Sequence, residues 1–330
     1  MTSPGLEMVM TVGKVLGTAI KVGAVCLVFA LSSLIGGALS GLNKIGARSV
    51  QQVRPAQRAV SSLPETAPKP QAPQMPENFL LPFSTFSVCV GIVLSYLILR
   101  SSWHGWQLVG AIGIGIYGIS TVAPQIDSLF FLSDKVPRGL IGAIFLQGAI
   151  ATVLFAPLAV LLLGKWRTTS RAPAGPGPAR LRAASAAWRL ALIVIAFVFL
   201  YMFFGHYIAW QNPALRQYYG GPEYSSFCVA LKANWTYHRS LYALQVFRAL
   251  LYAACLYPLV RMLRTARWAT ALAMAVFVSV WTTALLLHNP IMPASVAHSH
   301  FWETLSFNLV FGSLAGWFMN NPPQPEHSAT

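Results

Sequence analysis

Apolar runs of about 20 residues recur eight times along this 330-residue chain, at 22–42, 79–99, 106–122, 139–163, 190–210, 240–260, 270–287 and 301–318. A run of that length is what a helix needs to cross the hydrocarbon core of a bilayer. Within lipid every backbone N–H and C=O must be satisfied inside the element, so continuous runs of this kind fold as helices. A membrane barrel would show short alternating segments instead. The expected fold is therefore all-α, a polytopic transmembrane helix bundle of eight spans. The count falls to seven if the first run is a signal cleaved after Ala38-Leu39-Ser40. That run is long for a signal core, so the first span is expected to be retained.

Composition agrees. Only 9% of the residues are charged, against about 25% in soluble domains. The 23 basic residues outnumber eight acidic ones, but they gather in loops beside the runs, where a positive-inside signal belongs. They are not interleaved with aromatic residues as in a groove for single-stranded nucleic acid, so no nucleic-acid partner is expected. The four cysteines form no CxxC motif and give no disulfide framework.

The chain divides at its polar segments. Residues 1–42 comprise an interfacial amphipathic stretch up to Lys21 followed by the first span. Residues 43–78 form a proline-rich loop expected to be disordered. A three-span unit covers 79–164, and within it Pro124 ends the chain's third span, 106–122. A basic linker covers 165–189, a four-span unit 190–319 and a polar tail 320–330. The linker and the turn 261–267 carry nine basic residues and no acid, which places both in the cytoplasm. Loops 211–239 and 288–300 then lie outside, and both termini inside. Loop 43–78 is also placed outside, although its five basic residues exceed its two acidic ones. The membrane so oriented is a plasma membrane, the inner membrane of a bacterium.

Several patterns bear on function. Gly113, Gly115 and Gly118 fit GxGxxG, but both flanks belong to one apolar run. A dinucleotide loop needs a strand before it, so these read as packing glycines. Gly37 and Gly41 form a GxxxG pair, and Thr304, Asn308, Gly312 and Gly316 recur every four residues. Both patterns suit close helix contact. His206, His238, His288, His298 and His300 gather toward the outer face. His298, His300 and Glu303 form HxHxxE, a donor set suited to zinc or copper, with His298 supplied by the loop.

The sixth span carries His238, Tyr242, Gln245, Arg248, Tyr252 and Cys255 at steps of three and four, which hold one helix face. A polar face in a membrane helix points into the bundle. Arg248 is the one basic residue deep in a span, and Glu303 the one acid inside the assigned spans, so the two are expected to pair. Gln245, Tyr252 and Glu303 complete a candidate ligand-binding set around Arg248. No Ser-His-Asp order, GxSxG or P-loop is present. The function expected is that of a non-enzymatic carrier, sensor or assembly component with a polar cavity near the outer face. Its ligand would be small and polar or anionic. The alternative is an integral membrane metalloenzyme using His298, His300 and Glu303.

Overall fold

The computed structural model describes residues 4–42, 79–133, 136–137, 139–167, 183–287 and 292–320. The proline-rich loop, most of the basic linker, His288 and the tail beyond Asn320 lie outside them. Among the described residues the chain is helical, without a strand. The long helices are α1 (Pro4–Leu39), α2 (Leu80–Arg100), α3 (Gly105–Ile116), α4 (Ala123–Phe131), α5 (Leu140–Leu162) and α6 (Ala183–Tyr207). Two short helices, α7 (Pro213–Tyr219) and α8 (Phe227–Tyr237), precede α9 (Arg239–Met262), α10 (Arg267–Val280) and α11 (Ala294–Met319).

Among the described residues seven helical segments are long and apolar enough to cross a membrane: Gly13–Leu39, Leu80–Arg100, Gly105–Phe131, Leu140–Leu162, Ser185–Gln211, Arg239–Met262 and Arg267–Leu286. The chain is a polytopic helical membrane protein. The eighth expected span lies in α11, which has the length but carries His298, His300, Glu303 and Asn308. These keep it outside the apolar set. Leu27, Val153, Ile195 and Phe247 are exposed on the outer surface of the bundle. Gln245, Arg248 and Asn308 are buried inside it. Apolar residues outside and polar ones within is the arrangement lipid requires.

Three boundaries differ from expectation. There is no break at Lys21: α1 runs unbroken from the interfacial stretch into the span, because nothing between Gly13 and Leu39 stops a helix. The loop 211–239 is built rather than open. Asn212 caps α7 by accepting from the Ala214 N–H, with Pro213 at its first position, and Ser226 caps α8 by accepting from Val229. Side-chain acceptors of this kind, with proline where no donor is needed, start helices.

The largest difference is at Pro124, which does not end the third span. The helix passes through a π-helical segment, Tyr117–Val122, and continues as α4 to Phe131. The Ala123 N–H donates five residues back, to the Gly118 carbonyl. Pro124 then falls in the first turn of α4, the position in a helix where its fixed φ and missing N–H are best tolerated. The result is about two and a half more helical turns, the second of them carrying Asp127.

Small residues set how closely the helices approach. A Cβ at Gly312 would lie 2.6 Å from the Ala275 Cα, and one at Gly316 2.7 Å from the Ala271 Cα. Asn308 Nδ2 donates to the Val278 carbonyl at 2.9 Å. The four-residue stripe is thus the seam between α11 and α10. Gly115 packs on Leu259 and Gly118 on Cys255, so two of the GxGxxG glycines serve the contact with α9, while Gly113 faces Thr152 of α5. In α1, however, it is Gly36 that approaches the Gln147 backbone of α5. Gly37 meets only the Gln147 side chain, and Gly41 faces open space in a left-handed turn.

One shared core joins helices from both sequence units, running through Leu94, Ile112, Phe155, Phe197, Leu256, Phe277 and Phe311. At one end of the bundle Lys165 Nζ donates to the Ser101 carbonyl at 2.8 Å, and Ser102 Oγ to that of Met262 at 3.0 Å. The opposite end carries α7, α8 and four histidines, His206, His238, His298 and His300.

Candidate functional site

Gln245 and Arg248 stand three residues apart on α9 and face inward together. Arg248 Nη1 donates to Gln245 Oε1 at 2.7 Å. Of the six-residue stripe, Gln245, Arg248, Tyr252 and Cys255 are buried. Tyr242 is half-buried and donates to the Leu231 carbonyl, and His238 is exposed at the junction of α8 and α9. The face identified from the spacing is real over its inner three turns.

The partner of Arg248 is Asp127, with Nη2 2.6 Å from Oδ2. The expected pair with Glu303 is not formed. A helix ending at Pro124 would leave Asp127 outside the span, but the helix continues to Phe131 and brings Asp127 to Arg248 instead. The guanidinium also lies over two rings of α6, 5.6 Å from the Phe197 centroid and 5.7 Å from that of Tyr201. Tyr252, one turn further along α9, interacts with the same guanidinium. The arginine is therefore held by a carboxylate, an amide and aromatic faces at once. This is how a cation is tolerated at such depth.

Glu303 is engaged elsewhere. Its Oε2 lies 2.7 Å from His300 Nδ1, one turn back on α11. His300 Nε2 lies 3.0 Å from the Tyr219 hydroxyl at the end of α7. Gly205 on α6 lies beside the carboxylate: a Cβ there would lie 3.4 Å from Glu303 Oε1. Burial pushes the Tyr219 hydroxyl well above its usual range, helped by Tyr218 and the two carboxylates, so it remains protonated at neutral pH. His300 stands just before the apolar part of α11. Burial works against its charged form, but the hydrogen bond and charge of Glu303, with Asp127 beyond, outweigh that and raise its proton affinity.

His298 does not join this set. Because α11 begins at Ala294, His298 sits on the helix rather than in a loop. Two residues of helix turn it about 200° from His300. Its Nε2 accepts from Trp302 Nε1 at 3.0 Å instead. Among the described residues no three metal-ligating side chains converge. His298, His300 and Glu303 therefore do not form the zinc or copper site the spacing suggested.

Three buried atoms at the centre lack a hydrogen-bond partner among the described residues: Asp127 Oδ1, Gln245 Nε2 and Arg248 Nε. One acceptor and two donors thus remain uncommitted, where a lone unsatisfied group costs about 1–3 kcal/mol. A groove of about 240 Å³ lies elsewhere, between Val109 and Gly113 of α3 and Thr152 and Ala156 of α5. It is apolar and separate from this centre. No protein-family model matches the chain, and no curated protein or solved structure matches it either, so the meaning of the site rests on its geometry alone.

Proposed function

We propose that this chain is a non-enzymatic membrane carrier or sensor that holds a small polar solute at the centre formed by Asp127, Gln245 and Arg248. The observation that carries this reading is the set of three buried, unpartnered polar atoms on helices α4 and α9. A merely structural ion pair would be selected to satisfy its own donors and acceptors. Polar groups of this kind inside membrane bundles mark solute and ion pathways. A simple anion is the weaker choice, since Arg248 already holds Asp127. A solute offering both a donor and acceptors matches what remains.

The test is thermal unfolding of the purified protein in detergent against a panel of amides, amino acids, carboxylates and polyols. A bound solute raises the melting temperature as mass action requires. At least one class is expected to do so in the wild type and to lose its effect in Gln245→Leu. A panel without effect, or a shift that survives the substitution, would overturn the reading.

In this reading the α7–α8 end faces outward in a plasma membrane, and both termini face the cytoplasm. The basic segments 165–189 and 261–267 support that orientation. Reporter fusions after Arg171 and Arg264 are expected to report the cytoplasm, and those after Gly221 and Ala294 the outside. A cytoplasmic signal at Gly221 would invert the assignment.

A further inference from the structure

The charges inside the bundle do not balance. Asp127 and Glu303 bring two carboxylates, with side chains 30% and 13% exposed, and Arg248 brings one permanent cation, 9% exposed. The other titratable groups around them are accounted for element by element. From α6 come Tyr201 and His206, and from α9 Tyr252. From α7 come Tyr218, Tyr219 and Arg216, the last paired with Glu223 at 2.9 Å. In α10 the one charged residue is Arg267, at its far end. With His300 neutral, the centre is one positive charge short, in surroundings where an uncompensated charge is costly. One added proton closes the balance and needs no cavity.

A hydrogen-bonded path leads to where that proton would sit. Tyr219 lies in the α7 loop region, its hydroxyl touches His300 Nε2, and His300 Nδ1 touches Glu303. Asp127 holds Arg248 beside the Tyr201 ring of α6, and one turn further along α6 Gly205 lies beside Glu303 Oε1, so the two carboxylates stand at neighbouring turns of one helix.

We propose that His300, Glu303 and Asp127 form a proton-binding cluster, loaded through Tyr219 from the α7–α8 end, whose occupancy controls the Asp127–Arg248 contact. In the neutral imidazole Nδ1–H donates to Glu303 and Nε2 accepts the Tyr219 O–H. A proton from water adds to Nε2, and the Tyr219 hydroxyl turns to accept from it. The product is an imidazolium against a carboxylate. No bond between heavy atoms changes and no electrons are transferred. With the proton bound, Glu303 is neutralised locally and Asp127 is left to Arg248. Without it, the repulsion between the carboxylates weighs on the Asp127–Arg248 pair. The inference rests on the same centre as the solute reading and adds that solute occupancy there is linked to protons.

The experiment is nitrogen-15 NMR of the full-length, histidine-labelled protein in detergent across pH, with no solute present. The His300 ring is assigned from its loss in His300→Gln. Its titration midpoint is expected above the value of about 6.5 for a free histidine. Glu303→Gln should lower it by about one unit, a tenfold loss of proton affinity, and Asp127→Asn by a smaller measurable step. A wild-type midpoint at or below that of free histidine would overturn the proposal, as would indifference to both carboxylate variants. If Glu303→Gln does not fold, the wild-type midpoint and the Asp127→Asn response decide. Since no solute enters the measurement, failure here leaves the solute reading standing, and a silent solute panel leaves the proton cluster standing.

Discussion

Replacing Arg248 by Leu, or Asp127 by Leu, is expected to cost about 3–5 kcal/mol of stability, the loss seen when one member of a buried ion pair is removed. The double variant Asp127→Leu with Arg248→Leu should lose clearly less than the two single losses added. In each single variant a charge remains inside the bundle without its counter-ion, and in the double neither does. Thermal unfolding in detergent reads all four states. The control is Arg248→Leu combined with Glu303→Leu, whose losses should come closer to additive because Glu303 bonds to His300 rather than to Arg248. Additive losses for the Asp127 pair, with coupling for the Glu303 pair, would show that the direct contact at 2.6 Å is not the one that matters.

The second large effect belongs to the seam between α10 and α11. Gly312→Leu should abolish the folded bundle, and Gly312→Ala should cost about 1–3 kcal/mol, the usual range for overpacking. The reason is that the added Cβ meets backbone, the Ala275 Cα and the Met274 carbonyl, which cannot turn away, as well as the Val278 side chain. Gly110 on α3 is the internal comparison. It is exposed, with nothing within 4 Å of an added Cβ. Gly110→Ala should be neutral or stabilise by up to about 1 kcal/mol through the lower entropy of alanine. Monodisperse yield in gel filtration, followed by melting temperature, separates the two. Equal behaviour at Gly110 and Gly312 would remove the seam from the account.

What the sequence made legible follows from the reach of each signal. The four-residue stripe on α11 and the inward face of α9 were readable, because helical periodicity is local and both lie within unbroken helices. The partner of Arg248 was not. Pro124 is a sound helix terminator by its local chemistry, and the π segment that carries the helix past it depends on Gly118 packing on Cys255 of another helix. HxHxxE was misread for a related reason. Its spacing is a ligand pattern only if His298 leaves the helix, and the helix starts four residues before it. The short helices α7 and α8 did have signals, in Asn212-Pro213 and in Ser226, which the turn-rich composition around them obscured. The contact between Tyr219 and His300 spans 81 residues and had no local signature at all.

The π segment has one more consequence. Inserting one residue into an α-helix shifts everything after it by about 100° and 1.5 Å, and the segment Tyr117–Val122 absorbs such an insertion without disturbing the packing on either side. The side on which Asp127 emerges is therefore a matter of helical phase. Were the segment to tighten to ordinary α geometry, the glycine face of α3 would keep its seat against α9 while the carboxylate swung away from Arg248. A change of winding within six residues would connect or disconnect the charge at the centre of the bundle by turning α4 about its axis and shifting it along by about 1.5 Å.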